Sequence, residues 1–195
     1  MREVLPLTIT GGHVRLEHLS QEHAHGLYNR GCYAADWQYM PRGCFVDLAD
    51  TRQWIDEALA ATAQLPFAIV ETSKGKVVGS TRYLNIRPEH HGLEVGWTWL
   101  GQEWQRTAVN TETKLMLLTH AFERLGCVRV EFKTDARNER SQRALERIGA
   151  TREGVLRNHM IVQGNHLRDS VYFSVIESEW LGVKQQLEER LERAA

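Results

Sequence analysis

The stretch "WQRTAVNTETKLML", Trp104 to Leu117, changes character halfway. A polar turn carrying Thr107, Asn110 and Thr111 passes into apolar residues that recur every three or four positions, and this spacing predicts a helix from about Val109 to Leu125. An α-helix leaves its first backbone N–H groups unpaired and presents about half a positive charge there, so its start can seat a phosphate if the backbone is approachable. Ala108 is small, Thr107 and Thr111 add hydroxyl donors, Arg106 adds a full charge, and Gln105 could close the rim. A simple capped helix would look the same, so the order of the surrounding elements has to decide.

Before this helix, "HVRLEHL" alternates as a strand, and Ser20 stands as N-cap of a helix running toward Arg30. Gly31 to Asp47 reads as loop, and Asp47 or Asp50 would start a second helix through about Ala63. "PFAIVETS", "VVGSTRYLNI" and "LEVGWTWL" are three strands separated by turn residues, as in an antiparallel meander. After the helix come the strand "CVRVEFKT", a helix "NERSQRALERIG" with Asn138 as N-cap and Gly149 as stop, and a hairpin "VLRNHMIV…LRDSVYFSVI" turning at "QGN". A last helix, about residues 177–193, carries Trp180, Val183, Leu187 and Leu191 at helical spacing, a stripe that would lie on the domain or on a second subunit.

At 195 residues the chain suits one substantial core, and no repeat, linker or low-complexity tract divides it. One domain over residues 1–195 is expected, with a core of about 7–180. Twenty-four basic residues against twenty-five acidic ones leave no field of the kind a nucleic-acid binder needs. The longest apolar runs fall far short of the roughly 20 residues that cross a bilayer, and "MREVLPLTIT" lacks a signal-peptide core; no membrane partner and a cytoplasmic location are the expectation. Cys32, Cys44 and Cys127 are odd in number and lack C-x-x-C spacing, which reads as free thiols. The pairs His23/His25 and His90/His91 diverge or sit in a turn, so no metal is expected.

The sequence of elements, and above all the run "DARNERSQRALERIGATREGVLR" from Asp135 to Arg157, resembles the GCN5-related N-acetyltransferase (GNAT) family, in particular its branch that acetylates N-terminal amines of ribosomal proteins. The resemblance covers about Leu7 to Trp180. It implies an α/β (α+β) acyl-CoA N-acyltransferase fold: a mixed, mostly antiparallel sheet of about seven strands flanked by helices, splayed between "LEVGWTWL" and "CVRVEFKT", with acetyl-CoA as cosubstrate in the gap. In that family the diphosphate of acetyl-CoA sits on a loop written Q/R-x-x-G-x-G/A, and Gln105 to Asn110, with Val109 inside it, takes that place. Ala108 and Asn110 stand where the family usually has glycine or glycine/alanine. Asparagine tolerates left-handed angles; alanine adopts them at a cost of about 1 kcal/mol.

Acetyl transfer to an amine needs the amine deprotonated, the thioester carbonyl polarised and the leaving thiolate protonated. The period of two in "LEVGWTWL" puts Leu93, Val95, Trp97 and Trp99 on one face and Glu94, Gly96 and Thr98 on the other. The resemblance sets this strand beside the acetyl group, which makes Glu94 the candidate general base, acting through a water with a pKa raised by partial burial; a carboxylate on a solvated face is the alternative. Backbone groups near Thr98, Trp99 and Leu100 would pair with the pantetheine arm. Asn138 and Ser141 share a helix face, and the resemblance implies that the asparagine contacts the arm while the serine or a tyrosine protonates the sulfur; Tyr172 is the rival acid. Of the stripe Arg140, Arg143 and Arg147, Arg143 is the candidate for the adenosine 3′-phosphate, although Glu139 and Glu146 also fit a solvated ion-pair face.

In the loop "CYAADWQYMPRGCF", Trp37, Tyr39 and Phe45 offer an aromatic wall for the acceptor amine, a protein N-terminus or a small primary amine attacked directly in a ternary complex. An antibiotic or polyamine acetyltransferase and a non-catalytic acyl-CoA-binding module are the alternatives. A homodimer is expected from the apolar stripe of the last helix alone.

Overall fold

The computed structural model describes residues 1–193. Its strands are β1 (Ile9–Thr10), β2 (Val14–His18), β3 (Leu65–Glu71), β4 (Lys76–Arg87), β5 (Gly92–Leu100), β6 (Arg129–Asp135), β7 (Thr151–Val162) and β8 (His166–Ile176). Its α-helices are α1 (Ala24–Gly31), α2 (Leu48–Ala60), α3 (Ala108–Thr119), α4 (Glu139–Arg147) and α5 (Glu177–Glu192). The strands form one sheet in the order β1-β2-β3-β4-β5-β6-β8-β7, and only the β5/β6 neighbours run parallel. There are eight strands where about seven were expected, the additional one being the two-residue β1 against β2.

Both faces of the sheet are covered, which is why β3 reads as the nearly unbroken apolar run "LPFAIV". Phe67 and Ile69 of β3 pack with Leu117 and Leu118 of α3 and with Trp180 and Leu187 of α5. Ala68 and Val70 point the other way, into a second cluster with Leu27 of α1 and Trp54 and Ile55 of α2. The stripe of α5 is thus spent on the chain's own core: Trp180, Val183 and Leu187 are buried, and Trp180 stacks on Phe122 with ring centroids 5.2 Å apart. The apolar stripe that suggested a homodimer is largely covered within the chain.

Several helix and strand bounds differ from the sequence reading; β7, for one, begins at Thr151 rather than Val155. The helix of α3 ends at Thr119, and His120–Leu125 continues as a wider π-helical turn closed by Gly126 at φ 71°. Helix α2 stops at Ala60 rather than Ala63, and β6 begins at Arg129 because Cys127, buried at 1 % exposure, still belongs to the approach. Two caps hold as read: Asp47 accepts from the Asp50 amide, and Asn138 accepts from the Ser141 amide at 3.0 Å; Ser20 instead precedes a 3-10 turn, Gln21–His23, and His23 is the N-cap of α1.

Helix α3 is tied to the sheet by a buried carboxylate. Glu112 accepts backbone N–H bonds from Gly12, His13 and Val14 at 2.8, 2.7 and 2.7 Å. A Cβ on Gly11 would lie 2.6 Å from that carboxyl carbon, so the turn before β2 has to be bare.

Candidate active site

A bulge in β5 creates the site. Ser80 pairs with Trp99 and Arg82 with Gly96, so Trp97 and Thr98 together oppose Thr81, and Trp97 takes up the extra residue at φ 50°. The bulge reverses the faces, and the strict alternation expected of "LEVGWTWL" fails there. Leu93 and Val95 enter the core on the α3 side, Trp97 and Trp99 join the cluster on the α1/α2 side, and Thr98 turns toward α3. Beyond this point β5 leaves its neighbour: it pairs with β6 only from Gly92 to Glu94 against Arg129 to Glu131. The open wedge holds two adjoining chambers of about 510 and 220 Å³.

The larger, outer chamber is bounded by the end of β5, at Thr98, Trp99 and Leu100, and by the start of α3, at Gln105, Arg106, Thr107, Asn110 and Thr111. Thr107 is the N-cap of α3, its hydroxyl accepting from the Val109 amide at 3.3 Å and donating to the Trp104 carbonyl at 2.7 Å. The left-handed residue of this turn is Arg106, at φ 61°, while Ala108 opens the helix with negative φ. The missing glycines therefore impose no strain at 108 or 110, because the turn takes its positive angle two residues earlier. Gln105 closes the rim by donating to Asp36 at 2.7 Å and to the Leu100 carbonyl at 2.9 Å. Arg140, Arg147 and Arg190 join Arg106 in making this chamber cationic.

Glu94 lies at the floor of the smaller, inner chamber and is 1 % exposed. The solvated-face alternative is thereby excluded. Its carboxylate accepts from Asn85 Nδ2 at 2.7 Å and faces Lys133 Nζ at 3.4 Å. Gly96 makes room for it, since a Cβ there would sit 3.1 Å from Glu94 Oε1 and 2.8 Å from Leu84. Asn110, Asn138, Ser141 and Tyr39 line both chambers, so α3, α4 and the loop after α1 meet where the chambers join.

Besides Lys133, two buried cations of the inner chamber escaped the sequence reading. Lys114, one turn beyond Asn110 on α3, is 6 % exposed, donates to Thr98 Oγ1 at 2.8 Å and sits 5.7 Å from the Phe132 ring centroid; burial lowers its pKa to about 7. Arg168 of β8 is 4 % exposed, and burial pulls its pKa below the ordinary value. Both stand within apolar periodic patterns, where a single charge looks like an interruption and only the packed structure shows what it faces. Asp135 also lines this chamber; burial pushes its carboxyl up, but hydrogen bonds from Arg137 hold it below the ordinary range.

Several candidates lie elsewhere. Trp37 and Phe45 are 1 % and 2 % exposed and pack edge to face at 4.9 Å inside the α1/α2 cluster, so of the aromatic wall only Tyr39 reaches the cavity. Arg143 points to solvent and pairs with Glu139 one turn away, whereas its neighbours Arg140 and Arg147 line the outer chamber. Val109 is buried in the core, and neither it nor Ala108 lines a chamber with its side chain. Tyr172 lines neither chamber; its hydroxyl lies 3.5 Å from His159 Nε2, and its pKa is raised by burial and by Glu94 and Glu131. Among the described residues no cluster of three or more His, Cys, Asp or Glu could hold a metal, and no helix is long and apolar enough to cross a membrane.

A mixed sheet splayed after one parallel pairing, with a helix N-terminus at the mouth of the wedge and a buried carboxylate at its floor, defines an acyl-CoA-dependent acyltransferase. Residues 13–151 match the family model described as the acetyltransferase (GNAT) domain, and the chain belongs to that family, whose members transfer acetyl groups from acetyl-CoA to amines. It is 37 % identical to a T. thermophilus protein of known structure whose name assigns it provisionally to the acetyltransferases, over 97 % of this chain and all of that one, with a TM-score of 0.90. It is 30 % identical to a GCN5-related N-acetyltransferase from Brucella melitensis, over 97 % of this chain and 87 % of that one, with a TM-score of 0.93. YdaF of Bacillus subtilis, whose name assigns it provisionally to the ribosomal N-acetyltransferases, is 34 % identical over 110 residues, 56 % of this chain. That match spans 59 % of the relative's length.

Proposed function

We propose that the chain is a single catalytic domain that acetylates a primary amine, of a protein N-terminus or a small molecule, by direct attack on acetyl-CoA in a ternary complex. The observation that carries this reading is the continuity of the two chambers, which joins the N-terminus of α3 to the carboxylate of Glu94 through the wedge between β5 and β6.

Acetyl-CoA, when bound, supplies an acetyl group activated as a thioester. The amides at the start of α3 and the side chains of Thr107 and Arg106 would hold its diphosphate, with Arg140, Arg147 and Arg190 available to the 3′-phosphate. The end of β5 at Thr98 to Leu100 would pair with the pantetheine arm; the Leu100 carbonyl is already engaged by Gln105, and Asn138 lies across the wedge for the same arm. Glu94 would take the proton of the amine, directly or through a water, positioned by Asn85 and Lys133. Ser141, which lines both chambers, is favoured over Tyr172 as proton donor to the departing sulfur. Cys127 is no competitor as an acyl carrier: burial pushes its thiol up to about 11. Three free cysteines suit a reducing cytoplasm.

The test is release of free CoA from acetyl-CoA over a panel of amines, read beside thermal unfolding. Cosubstrate at 100 times its dissociation constant adds about 2.7 kcal/mol, or roughly 5–10 °C for a chain of this size. The expected result is stabilisation by acetyl-CoA together with amine-dependent thiol release and a product heavier by one acetyl group. Stabilisation without release from any amine would make the chain a binding module, and no stabilisation at millimolar acetyl-CoA would defeat the assignment of the wedge.

A further inference from the structure

The inner chamber contains a permanent cation that forms no ion pair among the described residues. The Arg168 guanidinium makes no side-chain hydrogen bond or ion pair among the described residues, its Nε is buried without a partner, and the residue is 4 % exposed while lining the chamber. The carboxylates that face it are committed elsewhere. Asp135 accepts from Arg137 Nε at 3.0 Å, from Arg137 Nη2 at 2.7 Å and from the Arg137 amide at 2.9 Å, and Glu94 is held by Asn85 and Lys133. Tyr172, Arg137 and His159 are the remaining titratable groups near it. Burying an unpaired charge is expensive. Lys114 can relieve that expense by shedding a proton near neutrality, but a guanidinium cannot.

We propose that the acceptor amine carries a carboxylate, which Arg168 receives in the inner chamber while the amine nitrogen lies at Glu94. This rests on the acetyltransferase reading above and narrows its acceptor. Both groups line one space of about 220 Å³, so only a few bonds separate the two ends of the acceptor. A single arginine beside Asp135 and Glu94 suits a monoanion better than a dianionic phosphate, and its planar fork matches a carboxylate bidentately. Lys133 and Arg168 on the same walls repel a second ammonium, which disfavours polyamines.

The experiment is isothermal titration of the CoA-saturated protein with matched pairs: glycine against ethanolamine, β-alanine against 3-aminopropanol, and γ-aminobutyrate against 4-aminobutanol. 1,3-Diaminopropane and O-phosphoethanolamine complete the set, and acetyl transfer from acetyl-CoA is measured on the same compounds. At least one acid is expected to bind tenfold tighter than its alcohol, with Arg168→Gln bringing the ratio close to one and Arg168→Lys keeping part of it. Equal affinity within every pair, a ratio that survives Arg168→Gln, or tighter binding of the diamine or the phosphate would overturn the proposal. The pairwise ratios in the unsubstituted protein decide the matter even if both variants fail to fold. Acetyl transfer with no preference for acids removes this inference alone; a preference in binding with no transfer to any amine upholds the anion site and removes the acetyltransferase reading.

Discussion

Lys114 Nζ reaches from α3 across the wedge to donate a 2.8 Å hydrogen bond to Thr98 Oγ1, whose other partner, at 2.8 Å, is Thr81 Oγ1. The two threonines that face each other at the β5 bulge are thereby tied to the helix that opens the outer chamber. No carboxylate shares this position, and burial alone brings the lysine to about 7 from an ordinary 10.5. The folded protein therefore binds this proton less tightly than the unfolded chain does. Below about pH 7 both states carry the charge and folding bears the full desolvation cost, on the order of a few kcal/mol; the cost fades as pH rises from about 7 to about 10.5. Lys114→Met is expected to raise the melting temperature, and to raise it more at pH 6 than at pH 10. Thermal unfolding at the two pH values checks this, and an equal change at both would mean that the lysine is not desolvated.

Glu94 is the group whose loss separates chemistry from binding. Glu94→Gln keeps the volume and the Asn85 contact region but removes the proposed base, and general bases contribute roughly 10²- to 10⁴-fold. We expect kcat to fall by at least 100-fold while the CoA dissociation constant, set in the outer chamber, stays within about twofold. Steady-state kinetics with calorimetry measure both, and an unchanged pH–rate profile in the variant would assign the base to another residue.

The caps at Asp47 and Asn138 and most strand positions were legible because each depends on neighbours in sequence. That Glu94 and Ser141 line the cavity was legible because the strand and helix that carry them are. What escaped depends on pairing across the sheet. The bulge at Trp97 arises from β4 and β5 together, and no period within "LEVGWTWL" announces it. Trp37 and Phe45 looked like a wall because aromatic residues in a loop suit a ligand, yet the loop folds back on α2 and buries them against Trp54 and Trp99. Arg143 was preferred over Arg140 and Arg147 without knowledge of which side of α4 faces the wedge. Arg168 and Lys114 gave no signal, since isolation from counter-ions is a property of the packed interior.

Restoring a glycine at position 108 tests how the phosphate turn works. Because Ala108 begins α3 with negative φ and the left-handed angle falls at Arg106, Ala108→Gly has no conformational demand to satisfy. It is expected to leave the CoA dissociation constant unchanged within about twofold and to cost up to about 1 kcal/mol of stability through added backbone freedom. Arg106→Gly, by contrast, relieves the positive angle and removes a charge, so it should be more stable than Arg106→Ala by about 1 kcal/mol, with both binding CoA more weakly. Tighter binding by Ala108→Gly would show that the turn rearranges when the cosubstrate arrives.

The last prediction concerns what keeps the mouth of the wedge in place. Glu112 is 8 % exposed and accepts three backbone amides from the turn that enters β2, so it fixes α3 against the sheet close to the phosphate end of the helix. Glu112→Ala leaves three donors without an acceptor, at about 1 kcal/mol or more each, and opens a small void beside Met116. Since 1 kcal/mol corresponds to roughly 2–4 °C for a chain of this length, the melting temperature should fall by roughly 10 °C. Glu112→Gln keeps one acceptor oxygen but brings an NH₂ against the same amides, so it should recover less than half of that loss. If α3 is the element that orients the phosphate seat, the CoA affinity of Glu112→Ala, measured well below its melting temperature, should also fall by several-fold. A large drop in stability with unchanged affinity would confine Glu112 to holding the fold and leave the seat to Thr107 and its own cap.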